Sequence, residues 1–179
     1  PADDDRRRFA ISVGEQARRL QGIIERMLML ARVEQLQAPE EAVQVDLGEL
    51  LRRCVDERSL ALQARQMTCR LAIDKPLGVR GDPFLLQQAL LNLLDNAIAF
   101  SPTGGCIDIA LRRHEQRAEV AIRDHGSGAP DYALAQVFDR FYSLPCTASG
   151  RKSSGLGLAL VREVARLHAG EADFANHPE

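Results

Sequence analysis

A mixed α/β domain carried behind one long helix is the fold class this sequence predicts, and three observations predict it. Val13, Ala17, Leu20, Ile24, Met27 and Ala31 recur at steps of 4, 3, 4, 3 and 4, the spacing of a helical seam. Beyond residue 43, segments at 67–73, 106–111 and 117–123 alternate apolar and polar residues for most of their length, as half-buried strands do. Among them lie apolar runs at 83–100 and 156–168 that are too long for strands and read as helices.

Each element has its own signals. Residues 1–37 read as the long helix. Asp3, Asp4 and Asp5 suit its N-terminus, where negative charge meets free N–H groups and the positive end of the dipole. Arg, Gln and Glu flank the seam, so a partner helix fits it better than the alternative, an amphipathic helix folded onto its own domain. Pro39, Glu40 and Glu41 end the pattern as a short linker. Val43–Val45 is then a short strand, and Asp46 caps an amphipathic helix expected to reach about Arg65. Met67 to Ile73 and Val79 to Asp82 are further strands. Pro83 sits at the first position of a helix that runs to Phe100 and stops at Ser101-Pro102-Thr103-Gly104-Gly105. Cys106–Leu111 and Arg117–Arg123 form a hairpin. Residues 125–154 are rich in Gly, Pro and Ser around one short helix, Tyr132 to Val137, and a loop region of that length inside a domain usually serves function. A last helix spans Leu156 to about His168, Gly170 stops it, and Glu171–Ala175 begins another strand.

Composition narrows the class. The chain has 179 residues, enough for one compact domain with an appendage. Net charge is −2, so the broad basic footprint of nucleic-acid binders is absent. No stretch approaches the roughly 18 consecutive apolar residues of a membrane span, and no signal peptide is visible. The first residue is Pro1 and not Met, which leads to the expectation of a piece of a longer protein. Cys54, Cys69, Cys106 and Cys146 show no zinc spacing and read as reduced, mostly buried thiols of a cytosolic protein.

Four short motifs carry chemistry. Asn92 and Asn96 stand four apart on the apolar helix, so both amides share one face. Buried without partners they are costly. Mg²⁺, which favours oxygen ligands, together with phosphate would satisfy them, as would nearby backbone. Asp124 closes a strand and opens into Gly126 and Gly128, where a carboxylate beside a glycine turn can accept a hydrogen bond from an exocyclic amine. Taken alone, the same residues make a plain turn. Gly155-Leu156-Gly157 opens the last helix, whose unpaired N–H groups attract phosphate, with Arg151, Lys152, Ser153 and Ser154 just ahead. Phe138, Phe141 and Tyr142 bracket Arg140, whose guanidinium fork suits phosphate; a small apolar cluster under the loop is the other reading. Neither a P-loop nor a dinucleotide fingerprint is present.

Asn92-Leu93-Leu94-Asp95-Asn96, Asp124-His125-Gly126-Ser127-Gly128, Phe138-Asp139-Arg140-Phe141-Tyr142 and Ser154-Gly155-Leu156-Gly157-Leu158, in that order, resemble the N, G1, F and G2 boxes of sensor histidine kinases. The run from Pro130 through Pro145 and on to Ala159 is similar to a carbon-source-responsive branch of that family. The resemblance covers roughly residues 43–175 and implies a two-layer α/β sandwich with a mixed sheet, shared with gyrase, the MutL-type repair ATPases and a class of heat-shock chaperones. Residues 1–38 look like the second helix of the kinases' dimerisation and phosphoacceptor domain, and 43–179 like the ATP-binding domain short of its final strand.

Carried over by position, the resemblance implies ATP and Mg²⁺ as ligands, with Asn96 and Asn92 at the metal and phosphates. It implies Asp124 at the adenine amino group, with Gly126 and Gly128 shaping the turn. Arg140, Tyr142, Lys152 and Ser154 would face the nucleotide beside a wall of Gly155, Leu156, Gly157 and Leu158. The γ-phosphoryl would pass to a histidine elsewhere and then to an aspartate of a response-regulator receiver domain. A homodimer through the first helix, a cytoplasmic setting and a parent anchored in the bacterial inner membrane are implied too.

Departures qualify that picture. The acceptor box, His followed by an acidic residue, is absent, and His114, His125, His168 and His177 lie in other contexts. His168 reads as structural, and His125 as a solvated loop residue without a suitable acidic neighbour. Ala99 stands where the family often has Lys or Arg, and Ser153 where a glycine is common. A second reading therefore remains: a non-catalytic dimerisation or assembly module with a degenerate nucleotide pocket.

Overall fold

The computed structural model describes residues 2–73, 75–144 and 153–177, with backbone alone for residues 2–5. The expected roles of the Asp3–Asp5 side chains, and of Pro145, Cys146, Arg151 and Lys152, lie outside the described residues. Eleven elements follow in order: α1 (Ala2–Gln35), β1 (Val43–Asp46), α2 (Leu47–Glu57), α3 (Ser59–Ala64), β2 (Thr68–Ile73), β3 (Gly78–Gly81), α4 (Pro83–Phe100), β4 (Cys106–His114), β5 (Arg117–Arg123), α5 (Asp131–Leu134) and α6 (Gly157–Leu167).

The main sheet runs β2-β4-β5, parallel between β2 and β4 and antiparallel between β4 and β5, hence mixed as expected. A second, two-stranded ribbon pairs β1 with β3 antiparallel. Ile107, Ile109 and Leu111 on alternate positions of β4 meet Leu50, Leu51 and Cys54 of α2 and Leu90, Leu91, Leu94, Ala97 and Ile98 of α4, so the helices form one layer over the sheet. A satellite core joins α4 (Leu85, Ala89) to α6 (Leu160, Val164, Leu167) and to the end of α1 (Leu30, Val33).

Local chemistry sets the boundaries. The Asp46 carboxylate accepts from the Gly48 and Glu49 N–H groups, and Asp82 accepts from Phe84 and Leu85, capping α2 and α4. At the far end of α4, the Arg65 guanidinium donates to the Ile98 and Ser101 carbonyls, groups that helix geometry leaves without partners. His168 accepts from the Asp82 N–H at 3.0 Å through Nε2 while Nδ1 lies 2.7 Å from the Val164 carbonyl, which fixes the Nδ1–H tautomer and ties the end of α6 to the start of α4. Its structural reading holds.

Three expectations change. The helix expected from 47 to about 65 breaks at Arg58, whose backbone leaves helical geometry (φ −100°, ψ 5°) while its guanidinium takes both oxygens of Asp95 on α4, at 2.5 and 3.1 Å. The break coincides with a long-range ion pair that no local pattern signals. The strand expected at 171–175 has no ladder. Asn176 instead clasps the backbone of Ala129, accepting from its N–H (2.9 Å) and donating to its carbonyl (2.7 Å). Among the described cysteines all three are free, but only Cys54 is buried; Cys69 and Cys106 are half-buried.

Candidate functional site

Helix α4 is the spine of the site. Its strongly apolar sequence fixes it between both cores, and Asn92 and Asn96 then project together from the remaining face. Asn92 Nδ2 donates to the Gln88 carbonyl at 2.8 Å, which leaves Oδ1 pointing away from the helix. Asn96 is half-buried, and its side-chain amide makes no hydrogen bond to any described residue. Both amides line a cleft of about 500 Å³ with Asp95, Ala99, Ser153, Ser154 and Gly157 on one side and Glu15, Arg18, Arg19 and Arg26 of α1 on the other.

The glycines show how the motifs meet. A Cβ on Gly157 would stand 2.9 Å from Asn92 Oδ1, so the start of α6 abuts the paired amides. Gly155 takes φ +66°, and a Cβ there would lie 2.5 Å from the Phe141 carbonyl carbon and 2.6 Å from the Tyr142 oxygen. The Phe141 N–H donates to the Gly155 carbonyl at 2.9 Å. A Cβ on Gly126 would fall 2.5 Å from the Phe100 carbonyl at the end of α4. Contacts this close admit hydrogen only. Asn92, Asn96 and Phe100 follow one another along α4, so the Asp124 turn and the Gly157 end of α6 sit about 12 Å apart on one helix, at 1.5 Å per residue.

Asp124 is half-buried; Oδ1 accepts from the Gly126 N–H at 2.8 Å, and the other oxygen has no partner among the described residues. No side chain caps the first turn of α6, so its N–H groups are open to a ligand. Ser153 lies 2.8 Å from the Ser143 hydroxyl. Gly128 (φ +71°) backs onto Asn176 and not onto the cleft. Leu156 is buried in the satellite core and Leu158 half-buried. Arg140 is not at the cleft: its guanidinium pairs with Glu34 of α1. Asp124, Gly126, Gly128, Tyr142, Gly155, Leu156 and Leu158 also lie outside the cleft's lining.

Electrostatics beside the turn correct one reading. His125 was expected without an acidic neighbour, yet its Nε2 is 3.0 Å from Asp108 Oδ2. The β4–β5 register, which sets Asp108 opposite Arg123, brings them together across 17 residues. Arg70 binds the same carboxylate at 2.7 and 3.0 Å, and these two partners, Arg70 foremost, hold Asp108 below the usual carboxylate range. Sequence reasoning missed Asn176, Glu34 and the cleft-facing arginines of α1. Pairing across the fold gives no periodic signal; the arginines stood in view as flanks of the seam.

A family described as histidine kinase-, DNA gyrase B-, and HSP90-like ATPases matches residues 81–179, more than half of the chain and all four motifs. The chain belongs to this family. Within it, the chain is the catalytic ATP-binding domain of a two-component sensor histidine kinase. Sensor protein CreC of Escherichia coli (strain K12) is 44% identical over 172 residues, 96% of this chain and 36% of CreC. The chain thus spans about a third of that relative. Among solved structures, the mycobacterial sensor histidine kinase MprB is 33% identical with a TM-score of 0.62, covering 72% of this chain and 81% of that one. The cytoplasmic segment of histidine kinase QseC is 26% identical with a TM-score of 0.61, covering 91% and 85%.

Proposed function

We propose that this chain binds Mg·ATP along α4 and presents its γ-phosphoryl to a histidine outside residues 1–179. That histidine would pass the group to an aspartate of a response-regulator receiver domain. The observation that supports this most is the junction at α4: Gly157 against Asn92, and the Asp124 turn against Phe100. One end of the junction has the Asp124 carboxylate, which on this reading accepts an amine, and the other has two amides beside an uncapped helix start.

Asp124 would accept the adenine amino group through its unpartnered oxygen. The open N–H groups at the start of α6 would hold phosphate, favoured by the dipole there. The carboxamide oxygens of Asn96 and Asn92 suit a hard cation, and the unpartnered Asn96 amide fits one. Bound there, Mg²⁺ would neutralise phosphate charge. The protein's contribution to transfer is positioning and charge stabilisation around the in-line displacement.

The exposed seam of α1 supports a homodimer in the parent protein. Val13 (51% exposed), Leu20 (60%), Ile24 (56%) and Met27 (45%) face solvent, while a different face, Leu30 and Val33, packs on α4 and α6. No helix among the described residues is long and apolar enough to cross a membrane.

Isothermal titration of Mg·ATP into wild type and Asn96→Ala tests the reading. Wild type is expected to bind, and Asn96→Ala to bind at least tenfold more weakly, about 1.4 kcal/mol, with an unchanged melting temperature. Equal, negligible binding by both proteins favours the assembly module instead, a reading that the Arg140–Glu34 pair and Ala99 support. With labelled ATP alone, the chain is expected to carry no acid-labile phosphate.

A further inference from the structure

The wall of the cleft opposite Asn92 and Asn96 belongs to α1, and its charge is unexplained by the nucleotide motifs. Arg18, Arg19 and Arg26 line it together with a single carboxylate on that side, Glu15. Arg18 and Arg26 make no ion pair with any described residue. Their guanidiniums fold back along the helix, with one nitrogen 3.5 Å from where a Cβ on Gly14 would be and 3.6 Å from one on Gly22. The one acid facing them from α4, Asp95, is taken by Arg58. Glu34 and Arg140 pair with each other and do not line the cleft. Ser153, Ser154 and Gly157 add no charge. On α4 itself, the cleft position after Asn96 is Ala99, so that helix brings no cation.

Two arginines that pair with no acid among the described residues, across about 500 Å³ from an amide that has no partner among them, make a cleft whose complement is a small polyanion. We propose that Arg18 and Arg26 bind the polyphosphate of the nucleotide, and that α1 supplies the cations α4 lacks. This rests on the nucleotide reading above. It has a consequence for signalling: a shift of α1 relative to α4 would change phosphate affinity directly, because the two walls of one cleft lie on different elements.

The test uses the whole chain and titrates Mg·ATP, adenosine and inorganic tripolyphosphate against wild type and an Arg18→Gln/Arg26→Gln variant. Arg112→Gln/Arg113→Gln, which removes the same charge from the exposed end of β4, is the control. All four arginines are exposed, so melting temperatures are expected to match wild type. Affinity for Mg·ATP and for tripolyphosphate should fall at least tenfold in the first variant and stay within twofold in the control, with adenosine binding unchanged. The difference should shrink as salt rises. Unchanged ATP affinity, an equal loss in the control, or tighter ATP binding once the arginines are gone overturns the proposal. Tripolyphosphate bound as tightly as Mg·ATP, through Arg18 and Arg26 and with no adenosine binding, keeps the arginine site and sinks the nucleotide reading instead. Wild type that binds none of the three ligands overturns both.

Discussion

Gly155 fixes the junction between the Phe138–Tyr142 segment and the start of α6. Its φ of +66° is one that L side chains rarely adopt, and the Cβ of an alanine would collide with the backbone of Phe141 and Tyr142. Gly155→Ala should cost about 1–3 kcal/mol of local strain and detach the Phe138–Tyr142 segment from the start of α6. Urea unfolding measures the first effect, and limited proteolysis between residues 138 and 155 the second. His168→Ala removes an acceptor from the Asp82 N–H and leaves that group unpaired, for a loss of about 1–3 kcal/mol in the same assay. Burial pushes the Cys54 thiol up to about 11 and, more than its charged neighbours, keeps it protonated at neutral pH. At 1% exposure it should resist maleimide in the native protein and react only after denaturation. The raised value also has a sign for stability: the contribution is full below the ordinary thiol range and is lost as pH climbs through about 11.

Among elements, α1 presents two distinct faces. The heptad seam is in solvent, while Ile23, Leu30 and Val33 join the satellite core. Leu20→Glu with Ile24→Glu should therefore abolish any self-association seen by analytical ultracentrifugation and leave the melting temperature of the ATP-binding domain within a few degrees. Legibility in the sequence followed the same division. The ends of α4 were readable because Pro83 and the Ser101–Gly105 turn are local signals, whereas the cap from Asp82, read as the end of a strand, was not. The hairpin and the glycines that open α6 were readable too. The break at Arg58, the clasp of Asn176 on Ala129 and the pairing of Arg140 with Glu34 were not, since each depends on a partner between 37 and 106 residues away. Candidate site residues drawn from one element were legible as a motif; the α1 wall of the cleft became visible only when the fold laid that helix across α4.

At the scale of the molecule, two cores meet along α4, and the site lies on the face both leave open. Leu94, at 1% exposure in the larger core, is one residue from Asp95 and two from Asn96. Leu94→Ala should cost about 2–5 kcal/mol and weaken nucleotide binding only as far as it unfolds the protein. Asp108 on β4 joins Arg70 on β2 to His125 just beyond β5, and its depressed pKa gives a stabilisation present above the ordinary carboxylate range and lost as pH falls through the folded value. Asp108→Asn should accordingly lie below wild type in stability at neutral pH and converge with it in acid, as followed by thermal melts from pH 7 down to pH 3. The whole account rests on one helix that carries both ends of a nucleotide site. A crystal structure of this chain with Mg²⁺ and a non-hydrolysable ATP analogue tests it most directly. The account predicts the adenine amine on Asp124, and the phosphates and metal between Asn96 and the start of α6. A nucleotide bound elsewhere, or lying with its base at Asn92 and its phosphates at Asp124, would contradict it.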